Sequence, residues 1–445
     1  MVPRRALEGS TVKVKCTVSV DTFMSSKLVA ALLVGVLIAG VVVAYIGQDN
    51  NSNQASEEEG DGNLNAFTWD LFDSLGDGNI VFSPYGLYTA FGMLANGAKD
   101  GSATQKEVLD ALYSSSDMTL NAYIKELQKL PLTETADGGD GPKLTFESNN
   151  LILVDSAALE KDGVKINAYF RSIIEGYYNG AISEADFHKN LDAAKEYIKS
   201  WVNETTHGMI PDYESEATPA TITDILNVVY FKADWRYLFD PANTYKTDFN
   251  CSDGSKGTVE MMHRSFSNSI RYYENDRYMG LEIPYASGDN YAMYIVLPKD
   301  HGVTMLDMWK NESVEYREAF MENIRNAPFA NKVILSLPSM DMDVRYDIED
   351  ILTALGVTVS FSDDAQYTEM VDGMCLRIDG GCHQVRFIVD EEGTEAAAVT
   401  EIVTKNTTSM PDKDPIVFNC NIPFIFTVSE MSSGTNIFAG YYGHA

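Results

Sequence analysis

The chain has 445 residues, is 45% hydrophobic and carries 65 acidic against 33 basic residues, for a formal net charge of −32 at pH 7. This hydrophobic content is ample for a packed core, and the length exceeds that of a usual single domain, although large single domains exist. A charge of this size and sign argues against nucleic acid as a partner, because phosphate binding requires basic patches.

The N-terminal part of the chain contains two compositional outliers, an apolar run and an acidic linker. Residues 28–47, LVAALLVGVLIAGVVVAYIG, contain no charge, and twenty such residues are enough to cross a bilayer as a helix. Residues 1–27 carry five basic and two acidic side chains, whereas residues 48–62 carry only acidic charges. The positive-inside rule therefore places residues 1–27 in the cytosol and the rest of the chain outside.

These patterns predict four segments. They are a cytosolic tail over 1–27, a single-pass signal-anchor helix over 28–47, an acidic linker over 48–62 and an extracellular domain over 63–445. The alternative is a secreted protein that starts at Met24 and loses the apolar run as a signal peptide. We favour an uncleaved anchor in the cell membrane, because the run is long for a signal peptide and has no clear Ala-x-Ala cleavage site.

The first half of the exported domain alternates helices and short strands. Large apolar residues recur at helical spacing over 64–75, and a Gly-Asp-Gly triplet then interrupts the pattern. A short apolar strand over 80–82 follows. Ser83-Pro84 begins the next helix, because proline suits the first helical turn. A further helix is predicted over about 192–204.

Strands dominate the second half. Residues 221–235, TITDILNVVYFKADW, form an apolar run that is typical of a strand inside a sheet. Strand-like runs follow at 279–285, 290–297 and 333–338, before a helix over 348–355. Helices mixed with many strands, without an internal repeat, predict an α+β domain with a large mixed sheet.

Residues 383–411 combine a strand with a long segment that has no compact turn signal. Val385, Phe387 and Val389 alternate with other side chains as in a strand, whereas large apolar residues become scarce after Gly393. A segment of this length without structure of its own is uncommon inside a compact domain, and is usually functional or disordered.

The segment after Gly393 nevertheless keeps an alternating pattern. Uncharged side chains fall on one set of positions: Thr394, Ala396, Ala398, Thr400, Ile402 and Thr404. Charged side chains fall on the other set: Glu395, Glu401 and Lys405. In an extended strand the two sets point to opposite faces, so that one face can enter a packed sheet without burying a charge. A surface helix and a solvated loop are the alternatives, and the β-branched residues argue against the helix.

Several of these stretches match the motifs of one protein family. Residues 391–400, EEGTEAAAVT, resemble the hinge of the inhibitory serpins, the serine-protease inhibitor superfamily. Further serpin-like stretches are 79–84, 201–210, 221–235 and 423–440. Because the matches occur in order over about 63–445, they identify the exported domain as a serpin-like domain.

The resemblance implies the serpin fold, with a large mixed central β-sheet, two further sheets, eight or nine helices and an exposed reactive-centre loop. The implied hinge consists of Glu391, Glu392, Gly393, Thr394, Glu395, Ala396, Ala397, Ala398, Val399 and Thr400. The implied sheet-opening region consists of Asn79, Ser83, Pro84, Asn227, Trp235 and His383. The hinge-to-bond spacing of the family places the scissile bond between Thr407 and Thr408, although a long following segment leaves positions up to Met410 open.

The resemblance implies a suicide-substrate inhibitor of serine proteases. In inhibitory serpins the protease attacks the loop and forms an acyl-enzyme, and the cut loop then inserts into the central sheet as a new strand. We expect Gly393 to let the loop fold back with low backbone strain. We expect Thr394 at the mouth of the sheet, where an arginine in its place could reach water. The small polar residue before the bond suits an elastase- or subtilisin-like protease, and we expect a monomer without a cofactor.

Two other classes of function compete with inhibition. A non-inhibitory serpin, acting as a carrier or chaperone, usually has charged or bulky hinge residues, and these are absent here. A membrane-tethered hydrolase needs a catalytic site, but the six histidines have no zinc-ligand spacing and no Gly-x-Ser-x-Gly elbow or Walker loop is present. We therefore expect no metal and no catalytic residue, and interpret His383 as a buried residue that fixes strands beside Ser83 and Asn227.

Overall fold

The computed structural model describes residues 61–130, 133–135, 142–286, 290–299, 305–394 and 414–445. All of them lie in the compact unit Glu57–Ala445. The predicted anchor over 28–47 lies outside the described residues, together with the segment from Glu395 to 413. Within the described ranges no helix is both long enough and apolar enough to cross a membrane.

Ten α-helices occur in the part of the chain that the structure describes, slightly more than the eight or nine expected. In chain order, α1 to α10 are Leu64–Ser74, Pro84–Gly97, Ala103–Ala111, Asp117–Leu127, Ser156–Asp162, Ala168–Tyr177, Leu191–Thr205, Met305–Lys310, Val314–Arg325 and Ile348–Ala354. Helix α2 begins as the sequence predicts, because Pro84 is its first residue and the Ser83 hydroxyl caps it by accepting the Gly86 N–H.

The strands, numbered in chain order, form three sheets. The central sheet has the order β12 (Met340–Asp347), β13 (Gly380–Val389), β5 (Thr223–Asp234), β3 (Pro142–Asp155) and β2 (Thr133–Thr135), with β4 (Gly180–Ala185) beside β3 and β14 (Gly393–Thr394) beside β5. It is a mixed sheet, because β13 runs parallel to β5 and β4 parallel to β3, whereas the other pairs are antiparallel.

The two smaller sheets complete the α+β architecture. The six-stranded sheet has the order β1 (Ile80–Phe82), β17 (Asn436–Tyr442), β16 (Phe424–Glu430), β10 (Tyr291–Pro298), β9 (Tyr278–Pro284) and β8 (Tyr272–Glu274). The four-stranded sheet has the order β15 (Ile416–Asn419), β11 (Val333–Pro338), β7 (Lys256–Phe266) and β6 (Thr244–Asn250). The predicted fold class, with one large mixed sheet and two further sheets, is confirmed.

The main core lies between the central and the six-stranded sheets. Alternate residues of β13 are buried, as the sequence pattern predicts. One of them, Phe387, stacks on Phe426 of β16 at a centroid distance of 5.3 Å. Phe231 of β5 packs edge-on against Phe438 of β17 at 5.5 Å. These rings fix which face of β5 and β13 is turned to the core, and therefore which face an added strand would share.

Candidate functional site

The central sheet has a seam between β5 and β13 that is paired at one end only. Residues Gly380–Gln384 of β13 pair with Asp224–Val228 of β5 in parallel register. Both strands continue beyond this point, to Val389 and to Asp234. Within the described residues, no ladder joins these two continuations. The seam is therefore closed at the start of both strands and open at their ends.

The first residues of the hinge occupy this opening. Gly393 and Thr394 form β14, which pairs antiparallel with β5, with Gly393 opposite Asp234 and Thr394 opposite Ala233. A tight turn connects β13 to β14. Its side-chain acceptor is Asp390 Oδ1, which receives the N–H groups of Glu392 at 2.9 Å and Gly393 at 3.1 Å.

Trp235 holds this turn against the end of β5. Its main-chain N–H donates to the Glu392 carbonyl at 2.7 Å, and its indole N–H donates to the Asp390 carbonyl at 2.9 Å. The indole is buried and stacks on Tyr285, with a centroid distance of 4.6 Å and an interplanar angle of 6°. Since both bonds reach main-chain carbonyls, Trp235 fixes the backbone of the turn, and the Asp390 side chain adds the two hydrogen bonds described above.

Thr394 is already inside the protein in this state. Its side chain is 1% exposed, and its hydroxyl lies 3.0 Å from the hydroxyl of Tyr285, whose pKa burial raises well above the usual range. The inward direction predicted from the alternating pattern agrees with this position. The position is more enclosed than the expected access of an arginine to water requires, because the register with Ala233 places the Thr394 side chain against Tyr285.

Gly393 is needed for a different reason from the one expected. Its φ is not in the left-handed region, so relief of backbone strain does not explain the glycine. A Cβ atom there would lie far inside the contact distance of the Ala233 carbonyl oxygen and 2.7 Å from Asp234 Cα. Glycine is therefore required because the hinge backbone passes so close to β5.

Several acidic groups surround Glu392 at this opening. Burial, together with the carboxylates of Asp390, Asp234 and Glu391, raises the pKa of Glu392. Glu391 contributes mainly through its carbonyl, which accepts the Phe239 N–H at 2.8 Å. The contacts therefore fit a strand end that is fixed by its backbone.

A buried polar cluster crosses the closed part of the seam. His383 of β13 is fully buried and lies opposite Asn227 of β5. Its Nε2 accepts the Ser83 N–H at 3.2 Å, so the ring proton is on Nδ1, which donates to Asn227 Oδ1 at 2.6 Å. Burial lowers the pKa of His383 to about 3, so that the imidazole is neutral at physiological pH.

The cluster extends through two residues that the sequence did not indicate. Asn227 Nδ2 donates to Asn150 Oδ1 at 2.7 Å, and Asn150 Nδ2 donates to Thr89 Oγ1 at 3.0 Å. The result is a continuous chain of hydrogen bonds from β13 through β5 and β3 to α2. Asn150 lies opposite Asn227 in the β3–β5 ladder, so only knowledge of the strand register would have identified it.

The other predicted site residues lie elsewhere. Pro84 is buried at the first position of α2, next to the Ser83 cap. Asn79 is not at the seam: its Oδ1 accepts the N–H groups of Gly443 and His444 after β17. The remaining hinge residues Glu395, Ala396, Ala397, Ala398, Val399 and Thr400, and the predicted scissile pair Thr407 and Thr408, lie outside the described residues.

Comparisons with known proteins agree with this architecture. An uncharacterized serpin-like protein of Thermococcus kodakarensis is 30% identical over 379 residues, which is 85% of this chain and 84% of the relative. Human Serpin B13 is 31% identical over 391 residues, covering 84% and 96% of the two chains.

Solved structures share the fold over nearly their whole length. Tengpin, a thermophilic serpin in its native state, superposes with a TM-score of 0.74 at 25% identity, covering 89% of this chain and 96% of that one. Thyroxine-binding globulin in complex with thyroxine gives a TM-score of 0.72 at 23% identity, covering 86% and 99%. The family model described as Serpin (serine protease inhibitor) matches residues 62–444. With a match of that extent and the three sheets described above, this chain belongs to the serpin family.

Proposed function

We propose that this serpin inhibits serine proteases as a suicide substrate. The observation that carries the proposal is the half-open seam: β5 has an edge beyond Val228 that β13 leaves unpaired, and among the described residues only Gly393 and Thr394 pair with it. Strand addition to such an edge is an established way in which proteins bind a peptide, and serpin loop insertion is one case of it.

The register of β14 defines how the rest of the hinge would insert. Since Gly393 pairs with Asp234 and Thr394 with Ala233, each later residue would pair one position earlier along β5. Ala396 would lie opposite Phe231, and Ala398 opposite Val229. Both partners belong to the core and are nearly inaccessible, so the small uncharged residues predicted to point inward suit these positions.

The outward-facing residues also suit this register. Glu395 would lie opposite Lys232, and directly opposed charges of opposite sign stabilise a pair of strands. Ala397 would lie opposite Tyr230, whose ring is 4.5 Å from that of His207. No charged side chain would thus have to enter the core along the open part of the seam.

In the proposed reaction the protease serine hydroxyl attacks the Thr407 carbonyl carbon. The bond from Thr407 to Thr408 breaks, Thr408 leaves as a free amine, and an ester joins the Thr407 carbonyl to the protease. Insertion of the freed loop then carries the ester-linked protease along the sheet. The small polar Thr407 supports a target with a shallow specificity pocket, such as an elastase- or subtilisin-like enzyme.

Incubation of the protein with elastase-, subtilisin- and trypsin-like proteases tests the proposal. We expect an SDS-resistant one-to-one adduct with at least one of them, and mass spectrometry of the released peptide identifies the scissile bond. Clean loop cleavage with undiminished protease activity across the panel would reject inhibition. It would favour the second candidate, a non-inhibitory carrier, the class suggested by the thyroxine-bound structural relative.

We also propose that residues 28–47 anchor the protein in the cell membrane with the serpin domain outside. The charge difference between residues 1–27 and 48–62 supports this orientation. Fractionation of native membranes followed by N-terminal sequencing tests it. We expect a membrane-bound chain that retains the apolar run, whereas a released chain that begins after residue 47 would make the protein secreted.

A further inference from the structure

Three side chains with metal-binding groups meet at the end of the molecule where the β6–β7 turn contacts the residues after β17. They are Cys251 and Asp253 in the turn and His444 beyond the strand. One ligand atom of each, a thiol sulfur, a carboxylate oxygen and an imidazole nitrogen, lies within 4.8 Å of the other two. This cluster is separate from the seam and takes no part in the proposed inhibition.

The turn that carries two of these groups is held by its own backbone. Cys251 donates its N–H to the Ser255 carbonyl at 2.9 Å, and Gly254, with φ +80°, donates to the Cys251 carbonyl at 3.0 Å. The Asp253 Oδ1 accepts the Ser255 N–H at 2.8 Å. The thiol and the carboxylate therefore start from a fixed loop rather than from a flexible one, which lowers the entropy lost on binding a ligand.

His444 is held in place from both sides. Asn79 accepts its N–H at 2.9 Å and donates to its carbonyl at 2.9 Å. The ring Nε2 lies 2.9 Å from the hydroxyl of Ser252. When Nε2–H donates to this hydroxyl, the lone pair of Nδ1 is available, and metal-binding histidines commonly use their second nitrogen in this way.

We propose that Cys251, Asp253 and His444 bind a divalent transition-metal ion of the zinc class, with solvent as the fourth ligand. Thiolate, imidazole and carboxylate are the ligands that zinc takes in proteins, and three protein ligands with one open position form a common tetrahedral set. The open position has a route to solvent, because Asp253 is exposed and His444 is half-buried, whereas Cys251 is buried.

The distances are compatible with such a site. Zinc bonds of about 2.0 to 2.3 Å in a tetrahedron place ligand atoms about 3.3 to 3.8 Å apart. A cluster within 4.8 Å therefore needs to contract by about 1 Å, which rotation of the exposed Asp253 side chain can supply. The bound ion would join the β6–β7 turn of the four-stranded sheet to the end of the six-stranded sheet, and it would stabilise the folded state by an amount that grows with the logarithm of the free metal concentration over the Kd.

Cobalt binding to the full-length, reduced and metal-free protein tests the site. Co²⁺ bound by a thiolate absorbs in the near ultraviolet through sulfur-to-metal charge transfer, so the spectrum reports Cys251 directly. We expect one Co²⁺ per chain with this absorption, its displacement by Zn²⁺, and a higher melting temperature with Zn²⁺ that a chelator reverses. Absence of the absorption and of any melting shift at saturating metal would overturn the proposal.

Single variants separate this site from other thiols. We expect Cys251→Ser to abolish the charge-transfer absorption, and Asp253→Asn and His444→Gln to weaken Zn²⁺ binding at least tenfold. The control is Cys375→Ser, which removes an exposed thiol elsewhere and should leave binding unchanged. If Cys251→Ser does not fold, metal binding by the Asp253→Asn and His444→Gln variants tests the site. Unchanged binding in both, or loss of binding in Cys375→Ser, would assign the metal to another place.

Discussion

Two neighbouring alanines offer a direct test of strand insertion. Ala396→Arg and Ala397→Arg are the same chemical change at adjacent positions of the hinge. In the register of β14, position 396 would face the core opposite Phe231, whereas position 397 would face the other side, opposite Tyr230. The pairing described in the native state ends at Thr394, so neither change disturbs a described native contact.

The environments of the two positions predict a large difference. Phe231 is enclosed by aromatic rings, including Tyr285 at 5.5 Å and Phe438 at 5.5 Å, and the surrounding cluster is apolar. An unpaired charge there costs about 3 to 5 kcal/mol. On the other face Tyr230 is 7% exposed, but the next residue across the sheet, Glu147 of β3, has a side chain that is 40% exposed, so an arginine at position 397 has a route to water.

The assay is the number of inhibitor molecules consumed per protease molecule inactivated. A barrier increase of about 3 kcal/mol slows insertion by about a hundredfold, and hydrolysis of the acyl-enzyme then competes. We expect Ala396→Arg to be cleaved mainly as a substrate and Ala397→Arg to remain an inhibitor. Equal behaviour of the two variants would refute the assignment of faces. Full inhibition by both would mean that the loop does not insert in this register.

Three further predictions concern the hinge and two buried titratable groups. Gly393→Ala should expel the hinge from the seam, because its Cβ collides with β5, and should change the fluorescence of Trp235 without changing the far-ultraviolet spectrum. The free energy of unfolding should fall as the pH is lowered from about 6.5 towards 3, because in this range His383 takes up a proton only in the unfolded state. The contribution of His383 to this slope is about 1.4 kcal/mol per pH unit, and a His383→Gln variant should lose it. Burial raises the pKa of Asp224 to about 7, so its ionisation destabilises the folded state as the pH rises from about 4 to 7. Asp224→Asn should therefore raise the melting temperature at pH 8, but much less at pH 5.

Local sequence patterns predicted the strands of the seam because the buried residues of a strand recur at regular positions along the chain. The apolar run over 221–235 corresponds to β5, and the alternation at Val385, Phe387 and Val389 corresponds to the buried face of β13. The hinge pattern also predicted the inward direction of Thr394. Each of these inferences needs only the two-residue period of a strand, which the sequence carries without knowledge of the partner strands.

Features that depend on strand register could not be predicted from the sequence. The depth of Thr394 depends on its pairing with Ala233, and the requirement for Gly393 depends on how closely the β5 backbone passes. Asn150 looks like any polar residue until β3 is placed beside β5. The cluster of Cys251, Asp253 and His444 joins positions that are far apart in the chain, so no spacing motif in the sequence indicates it.

In the proposed inhibition the open end of the seam must accept the loop, whereas the closed end must stay paired until the loop is cut. Continued in register, residues up to Ala398 fill the open edge, and Thr400 would then reach Asn227, where His383 now pairs across the sheet. Insertion beyond that point must break a buried hydrogen bond, and a buried polar group left without a partner costs about 1 to 3 kcal/mol. If this bond were much stronger, insertion would lose its competition with hydrolysis of the acyl-enzyme. If this hydrogen bond were absent, the barrier that keeps the uncut loop out of the sheet would be lower. The hydroxyl of Thr400 could replace the lost partner of Asn227, which explains why a polar residue suits this inward position when Ala396 and Ala398 precede it.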